Sequence, residues 1–404
     1  MNFFVRGYCR LYQKIINFAS YFLSFKEPEV IQGEGASAKI PAYLHKKGFS
    51  RPLIVTDPGI YSLGLCDPLL KKLDEESLTY IVYKDVVANP TFDCINEAFA
   101  MAKKNNCDSI IAIGGGSSMD VGKAVGALMS NPKKSLSKMR GILKVRKRLP
   151  LLIAIPTTAG TGSEATLAAV VVNSKTHEKF AIEDPKLIPA VAVLDSSLLK
   201  KLPKKIISST GMDALTHAVE SYIGHSLTKK TRSYAIEAVR LISDNLYAFY
   251  SNPEDEAPRS NMQRAAYLAG VSFTRSYVGY VHAIAHSLGG EYNVPHGLAN
   301  AIILPYVLKA YGVKAEKALA RLSDAITLTK SGASTHEKAV AFIAWIEDMN
   351  EKMGIPKSFD HLIKPEDISL LAARANKEAN PLYPVPKEMN KNELIEIYKE
   401  IDPQ

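Results

Sequence analysis

Five residues in two short blocks of the sequence have the types and spacing of a metal site. They are Asp213 and His217 in the block GMDALTHAVE, and His282, His286 and His296 in the block VHAIAHSLGGEYNVPHG. Side chains four positions apart lie on the same face of a helix, so each block can present two ligands to one point. Imidazoles with one carboxylate suit Fe(II), Zn(II), Co(II) or Mn(II), and the lack of a nearby thiolate argues against a closed structural zinc site. The alternative is two helices that carry capping or core histidines.

A third block, SIIAIGGGSSMDVGK at residues 109–123, has the order of a strand, a glycine turn and a helix start. Gly114, Gly115 and Gly116 permit a positive φ and a close approach of the backbone. The helix that follows would present free N–H groups and the positive end of its dipole to a phosphate. The block is not the GxGxxG fingerprint of dinucleotide-binding proteins, so a purely structural glycine turn is an equal alternative.

Together these blocks resemble the iron-containing alcohol dehydrogenase family, the group III metal-dependent alcohol dehydrogenases. The resemblance runs from about residue 28 to the C-terminus and rests on motifs in the family's order: VTD at 55–57, NPT at 89–91, GGGSSMD at 114–120, PTTAGTGSEAT at 156–166, GMDALTHAVE at 211–220 and HAIAHSLGGEYNVPHG at 282–297. It implies that one metal, Fe(II) or alternatively Zn(II), is bound by Asp213, His217, His282 and His296. It places His286 on the substrate side, near the nicotinamide. Spacing alone does not choose four ligands from the five candidates.

An NAD site is expected at the carboxyl ends of the strands in the first half, where open α/β sheets bind ligands. Asp57 ends the apolar run PLIVTD, and a carboxylate there can bind the adenosine ribose and repel a 2′-phosphate. The resemblance accordingly implies a preference for NAD over NADP, whereas the alternative is a turn residue before Pro58. Further positions match family cofactor residues: Asn89, Gly115, Gly116, Ser117, Thr157, Thr158, Thr161, Thr166 and Lys179. Asp120 is not assigned to the site, because a helix N-terminus favours an acidic residue in any case.

Apolar runs alternate with helical segments over residues 50–200, which predicts a parallel α/β sheet. The strand candidates are Leu53–Thr56, Tyr80–Tyr83, Ser109–Ile113, Leu151–Ile155, Ala168–Val172 and Val191–Leu194. Farther along, apolar residues recur only at helical spacing, as from Ala235 to Phe249. We therefore expect an amphipathic helical extension over residues 1–27, an N-terminal Rossmann-like nucleotide-binding α/β domain over 28–202 and an all-α metal-binding, catalytic domain over 203–404. The active site is expected in the cleft between the two domains.

Composition favours a cytoplasmic enzyme. The chain has 404 residues, enough for two or three domains, and its four cysteines show no paired spacing, which indicates thiols in a reducing compartment. The net charge is +9, but the most basic stretch, residues 133–148, has no interleaved aromatic residues. We interpret that stretch as a solvated loop and expect no nucleic-acid partner. We also expect a homo-oligomer.

Residues 1–26 lie outside the resemblance and have the pattern of an amphipathic helix. The apolar stripe consists of Phe4, Tyr8, Leu11, Ile15, Phe18 and Phe22. The polar stripe consists of Arg6, Arg10, Gln13, Asn17 and Ser20. The apolar stripe is too interrupted to span a bilayer, and no convincing signal cleavage site follows. We expect the helix to pack on the enzyme or on a neighbouring subunit; peripheral contact with a membrane surface is the alternative.

These parts predict a metal-dependent oxidoreductase that transfers hydride between NAD(H) and a small primary alcohol or its aldehyde. A divalent cation favours loss of the alcohol proton, and His286 is the candidate relay because imidazole titrates near neutral pH. Arg275 and Tyr277 stand where the family carries smaller residues, so the substrate is left open. One alternative is a dehydroquinate-synthase-like lyase, which needs a phosphate-binding basic cluster and other ligands. The other is a non-enzymatic metal-binding or membrane-associated module, which leaves the cofactor motifs unexplained.

Overall fold

The computed structural model describes residues 3–23, 25–176 and 178–403. Within the predicted extension and domains, the positions that lie outside the described residues are Met1, Asn2, Ser24, His177 and Gln404. The chain divides into two compact units. An α/β unit contains the residues between Leu23 and Leu202, and a helical unit combines the residues up to Leu23 with those from Leu202 onward.

Nine strands lie in the described part of the α/β unit. They are β1 (Glu29–Gln32), β2 (Pro52–Val55), β3 (Ile81–Tyr83), β4 (Ser109–Gly114), β5 (Gly141–Ile142), β6 (Leu151–Pro156), β7 (Ala168–Val172), β8 (Lys179–Glu183) and β9 (Val191–Leu194). Six of them form a parallel sheet in the order β1-β9-β6-β4-β2-β3. The strands β2, β4 and β9 are buried along their whole length, as expected for a parallel sheet covered on both faces.

A second, three-stranded sheet has the order β5-β8-β7. The prediction that Ala168–Val172 joins the parallel sheet is therefore wrong, because this strand, β7, pairs antiparallel with β8. Only residues 173–178 connect the two strands, and a parallel pair needs a crossover of a dozen or more residues. Alternate residues of β7 are buried, as in a strand with one covered face.

The helices before residue 202 differ in the unit to which they belong. They are α1 (Phe3–Ser20), α2 (Ile40–Lys47), α3 (Pro58–Ser62), α4 (Asp67–Glu75), α5 (Phe92–Lys104), α6 (Gly116–Ser130) and α7 (Leu136–Met139). The helices α2 to α7 belong to the α/β unit, whereas α1 belongs to the helical unit. The basic stretch at 133–148 contains α7 and β5, so it is not simply a loop.

The rest of the helical unit consists of helices, and its described residues include no strand. They are α8 (Lys204–Ile223), α9 (Lys229–Ser251), α10 (Glu256–Ser276), α11 (Tyr280–Tyr292), α12 (His296–Tyr311), α13 (Val313–Ala325), α14 (Thr335–Lys352), α15 (Ile368–Ala379) and α16 (Lys391–Ile401). From Gly211 to Ile223, α8 is buried on every face, which makes it the central helix. A parallel α/β sheet followed by helices confirms the predicted fold class. Over the described ranges, we find no helix with the length and apolar character needed to cross a bilayer.

Candidate active site

Four metal-ligating side chains from three helices converge inside the helical unit. They are Asp213 and His217 of α8, His282 of α11 and His296, the first residue of α12. One ligand-type atom from each lies within 4.8 Å of those of the others. Three of the side chains are buried, whereas 40% of the His296 side chain is exposed. The cluster is thus enclosed by protein at three of its members and accessible to solvent at His296.

The donor atoms of this cluster fit a divalent transition metal. The amide nitrogen of Asn300 lies 2.7 Å from Asp213 Oδ1, 3.2 Å from His282 Nε2 and 3.1 Å from His296 Nε2. Three acceptors thus converge on one point, as ligands do around a cation. Burial, followed by the neighbouring imidazoles, lowers the pKa of His282 well below its usual value, and a metal ligand must be a neutral imidazole. The mixture of imidazole and carboxylate suits Fe(II) or Zn(II).

A buried carboxylate orients His282. The Nδ1 atom of His282 lies 2.6 Å from Glu220 Oε2, which leaves Nε2 facing the cluster. Glu220 also accepts hydrogen bonds from the backbone N–H groups of Gly279 and Val281. Burial raises the pKa of Glu220 to about 7, and those backbone groups act in the opposite direction. A Cβ atom at Gly279 would lie 2.7 Å from Glu220 Oε1, so the close approach requires glycine.

His286 lies beside the cluster and is held by a different carboxylate. Its ring stacks on His296 with 5.2 Å between centroids, and its Nδ1 atom lies 2.7 Å from Glu378 Oε1. The Tyr383 hydroxyl donates to the same oxygen at 2.8 Å. A carboxylate only accepts, so His286 donates through Nδ1, and in the neutral imidazole its Nε2 atom carries the lone pair. This leaves a half-exposed base next to the ligand cluster.

Bulky residues at the C-terminal end of α10 include Arg275 and Tyr277, which the sequence analysis singled out, and Phe273. Phe273 stacks on His217, with 4.2 Å between centroids and 12° between planes. The Arg275 guanidinium lies over the ring of Tyr21, 4.9 Å from its centroid, and Tyr277 ends the helix with a φ of 64°. Phe273 therefore packs directly against the cluster, whereas Arg275 contacts the segment that follows α1.

The predicted cofactor residues follow four neighbouring parallel strands. Asp57 follows β2, Asn89 follows β3, Gly115 follows β4 and Thr157 follows β6. The carboxyl ends of parallel strands meet at one edge of the sheet, so these residues line that edge. We call it the carboxyl edge.

The glycine turn after β4 leaves a helix N-terminus open. Gly114 has a φ of 150°, and a Cβ atom there would lie 2.4 Å from Ser118 Oγ. The N-cap residue of α6 is Gly115, which has no side chain to occupy the first N–H groups of this 15-residue helix. Gly116 lies against Thr161, whose Cγ2 atom would be 3.2 Å from an added Cβ. Free N–H groups and the positive end of the helix dipole at such a start suit a phosphate.

Asp57 caps the helix that follows β2. Its Oδ1 atom accepts a hydrogen bond of 2.9 Å from the N–H of Ile60, which makes it the N-cap of α3. Its Oδ2 atom lies 3.5 Å from Ser118 Oγ, so the carboxylate also lies beside the glycine turn. The turn interpretation and the cofactor interpretation are thus compatible.

The other cofactor candidates fall into two groups. At the carboxyl edge, Lys179 donates to Asn89 Oδ1 at 2.8 Å, and the buried Thr157 Oγ1 has no hydrogen-bond partner among the described residues. Thr166 instead accepts from the buried Lys123 at 2.7 Å, in a cluster with Asp120 and Glu164. Burial raises the pKa of Asp120 to about 6 and that of Glu164 to about 7. Half-buried residues complete the edge: Ser117, Thr158 and Thr161.

Three residues that orient the site were not predicted from the sequence: Glu220, Asn300 and Glu378. Glu220 belongs to the block GMDALTHAVE, three positions after His217, so its helical spacing was a usable signal. Asn300 follows His296 by four positions, which is the same signal. Glu378 lies 92 residues from His286, and no spacing pattern connects them.

Family models match most of the chain. The model described as iron-containing alcohol dehydrogenase matches residues 27–196, and the model of the C-terminal region of the Fe-containing alcohol dehydrogenase family matches residues 207–401. Both halves of the chain thus match the same family.

Named relatives and solved structures agree. The chain is 35% identical over 352 residues to the NAD-dependent methanol dehydrogenase of Bacillus methanolicus, covering 87% of this chain and 92% of the relative. A structure of 1,3-propanediol oxidoreductase superposes with a TM-score of 0.90 at 32% identity, covering 94% of this chain and 100% of the other. The alcohol dehydrogenase from Oenococcus oeni has the same TM-score and coverage at 36% identity.

Proposed function

Because this chain belongs to the iron-containing alcohol dehydrogenase family, we propose that it interconverts a small primary alcohol and its aldehyde. It is an NAD- and metal-dependent oxidoreductase, and the lyase alternative is not favoured. The observation that carries the proposal is the convergence of Asp213, His217, His282 and His296 within 4.8 Å. Methanol and 1,3-propanediol, the alcohols in the names of two similar proteins, support the substrate class.

We assign the metal to these four side chains. When bound, a divalent cation supplies Lewis acidity toward an oxygen atom, and the nicotinamide ring of NAD supplies a hydride acceptor. Glu220 fixes the ring of His282 so that Nε2 faces the cluster. Asn300 donates to Asp213 and steadies that carboxylate. Phe273 covers the ring of His217, which excludes water from one side of the cluster.

We assign the proton transfer to His286. Its Nδ1–H group is donated to Glu378, so Nε2 can accept the proton of an alcohol. Glu378 in turn accepts from Tyr383, which fixes the carboxylate and therefore the plane of the imidazole. His286 is half-exposed, so the proton can continue to solvent. In the reverse direction, the same atom returns a proton to the product oxygen.

We assign cofactor binding to the carboxyl edge of the α/β unit. We assign the pyrophosphate to the uncapped start of α6. We assign the adenosine ribose to Asp57, which lies beside the same turn. The unpartnered Thr157 Oγ1 is available to a ligand. In this proposal, residues 28–202 bind the dinucleotide and residues 203–404 bind the metal.

We further propose that the protein acts as a homo-oligomer in the cytoplasm. All four cysteines are free and buried, as suits a reducing compartment. Burial raises the pKa of the Cys66 and Cys107 thiols to about 11, which keeps them unreactive. Sedimentation velocity of the purified protein tests the oligomer, and a mass of one chain would contradict it.

An anaerobic assay tests the proposed reaction. The Fe(II)-loaded protein is incubated with NADH and a panel of short aldehydes, and loss of nicotinamide absorbance is followed. We expect turnover with at least one unbranched aldehyde and none for His282→Ala. Absence of turnover across the panel in protein that carries its metal would contradict the assignment of substrate class.

A further inference from the structure

The helix α1 docks on the helical unit through polar side chains. Arg10 donates to the carbonyl oxygens of Val385 and Pro386 at 2.8 and 3.0 Å and forms an ion pair with Glu388. Gln13 donates to the carbonyl oxygens of Pro381 and Tyr383. These bonds fix which side of the helix faces the protein.

The side of α1 that is buried is the side that carries Gln13 and Ser20 of the polar stripe, with Cys9 next to them. Cys9, Gln13 and Ser20 are 2%, 5% and 8% exposed. Positions 9, 13 and 20 lie on one face of a helix, because they are separated by four and seven residues. The protein therefore buries the face that the amphipathic pattern marks as polar, and the opposite face points to solvent.

That opposite face is the apolar stripe defined above. Its six residues, on and just after α1, are between 57% and 84% exposed. The rings of Phe18 and Phe22 contact each other, 5.4 Å apart, so the stripe is continuous at its C-terminal end. Single exposed hydrophobic residues are ordinary, but a contiguous apolar stripe indicates a binding surface.

The charge around the stripe indicates its partner. Residues 1–23 contain Arg6, Arg10 and Lys14 and no acidic residue. Arg10 is paired with Glu388, and Arg6 is exposed on the polar side of the helix. Lys14 is exposed as well and adjoins Leu11 and Phe18 of the stripe by helical spacing. An apolar face rich in Phe and Leu with flanking cations is the composition of a helix that lies in a lipid interface.

We propose that α1 attaches the enzyme to the surface of an anionic bilayer, with the apolar stripe inserted among the lipid headgroups and Lys14, at the border of the stripe, near the lipid phosphates. The helix lies in the plane of the surface, because its polar face is occupied by the protein. Both family models begin after α1, so the proposed attachment involves a segment that the family models do not match. It is independent of the proposed reaction.

A second copy of the chain is the less suitable occupant. Pairing two α1 stripes by a twofold axis would bring the cations of both helices together with no acidic residue on either helix to neutralise them. An anionic lipid surface instead attracts these cations, and the attraction acts within about one Debye length of the surface.

Vesicle sedimentation tests the attachment. The full-length protein is mixed with vesicles of phosphatidylcholine alone or with 30% phosphatidylglycerol, and the pelleted fraction is measured at low salt and in about 0.5 M NaCl. The test variant is Leu11→Ser/Ile15→Ser/Phe18→Ser. The matched control is Val313→Ser/Val340→Ser/Leu370→Ser, which removes three exposed hydrophobic residues from other helices. A third variant, Lys14→Glu, reverses the charge beside the stripe and leaves its apolar residues in place.

The proposal predicts pelleting with anionic vesicles for the wild type and the control, and a severalfold smaller fraction at high salt and in the charge variant. The α1 triple variant should remain in the supernatant with an unchanged melting temperature. Equal pelleting of wild type and α1 variant, or none for either, would overturn the proposal. Light scattering without lipid tests whether the stripe instead binds a second copy of the chain. A smaller mass for the α1 variant alone would show an interface between copies and would also overturn the proposal.

Discussion

The metal cluster and the carboxyl edge are built by different means. In the helical unit, the four ligand candidates come from three helices, and Glu220 and Asn300 contact Asp213, His282 and His296 at distances of 2.6–3.2 Å. At the carboxyl edge, the candidates lie in turns that follow strands, and several side chains already have a local task. Asp57 caps a helix and Asn89 binds Lys179.

This difference determines how each region should respond to substitution. Removing one buried ligand leaves the metal with an incomplete coordination set, so we expect a large loss of metal affinity and of turnover. In the cofactor site that we propose at the carboxyl edge, the ligand binds largely to backbone N–H groups of α6, and no side-chain substitution removes these groups. We therefore expect nearly complete losses in the first region and graded changes of preference in the second.

The largest effect should follow substitution in the metal cluster. His282→Ala is expected to lose most of the metal and nearly all turnover. Glu220→Gln retains the four ligands but weakens the hydrogen bond that orients His282, so we expect metal affinity to fall by about 10- to 100-fold. Metal content and turnover of the two variants, measured side by side, check this order. An unchanged affinity in Glu220→Gln would show that the carboxylate does not orient the ligand.

The next effect concerns the base beside the cluster. His286→Ala should keep the metal, because His286 is not among the four converging residues, while turnover falls by about 10²- to 10⁴-fold. Glu378→Gln should lower kcat by a smaller factor and leave the KM for aldehyde nearly unchanged. Steady-state kinetics together with elemental analysis separate the two outcomes. Loss of metal from His286→Ala would make His286 a ligand.

A smaller, graded effect is expected at Asp57. Repulsion between the carboxylate and a 2′-phosphate, reduced by solvent, should favour NADH over NADPH by about 10- to 100-fold, or about 1.4–2.8 kcal/mol. Asp57→Asn removes the charge but keeps an N-cap oxygen, so NADPH should be admitted without loss of stability. Asp57→Ala should in addition lose about 0.5–2 kcal/mol of stability through the cap. Equal use of both cofactors by the wild type would leave Asp57 only its capping role.

The smallest effect is expected at the opposite edge of the same sheet. Asp108 precedes β4 and accepts hydrogen bonds from the N–H groups of Ser50 and Arg51 and the hydroxyl of Ser109. Burial acts to raise the pKa of Asp108, but these bonds outweigh it and the pKa is lowered. Its stabilisation is thus present above the unfolded pKa of about 3.9 and is lost as the pH falls through the lower folded value.

Asp108→Asn is expected to reduce the free energy of unfolding by about 1 kcal/mol at pH 7, because the carboxylate is partly exposed. The difference from wild type should diminish below about pH 4, and the ratio of NADH to NADPH use should stay constant. Denaturant unfolding at both pH values checks this. A change in cofactor preference would contradict the contrast between the two edges.

The sequence predicted the buried strands and the helical half because both have strong patterns. The strands β2, β4 and β6 are apolar runs bounded by turn residues, and the repeat from Ala235 to Phe249 is buried in α9. It did not predict β1, β5 or β8, which are short or carry charged residues. It also placed β7 in the wrong sheet, since partner choice depends on connection length and not on composition.

The candidate site was predicted to different depths. Helical spacing brought Asp213 next to His217, whereas the placement of His296 depended on where α12 begins. Glu378 reaches His286 only through the tertiary packing of α11 and α15, which local pattern does not encode. For α1 the amphipathic pattern predicted the helix but did not indicate which face is buried. Hydrogen bonds from Arg10 and Gln13 to backbone carbonyl oxygens turn the polar side toward the protein.

Equilibrium metal binding is the most direct test of the central claim that Asp213, His217, His282 and His296 form one metal site. Protein freed of metal by chelation is dialysed anaerobically against Fe(II) or Zn(II), and bound metal is counted by elemental analysis. We predict about one ion per chain for the wild type and for His286→Ala, because four ligands converge at one point. His217→Ala should retain little metal under the same conditions. Full occupancy in His217→Ala would show that these four side chains do not form the metal site.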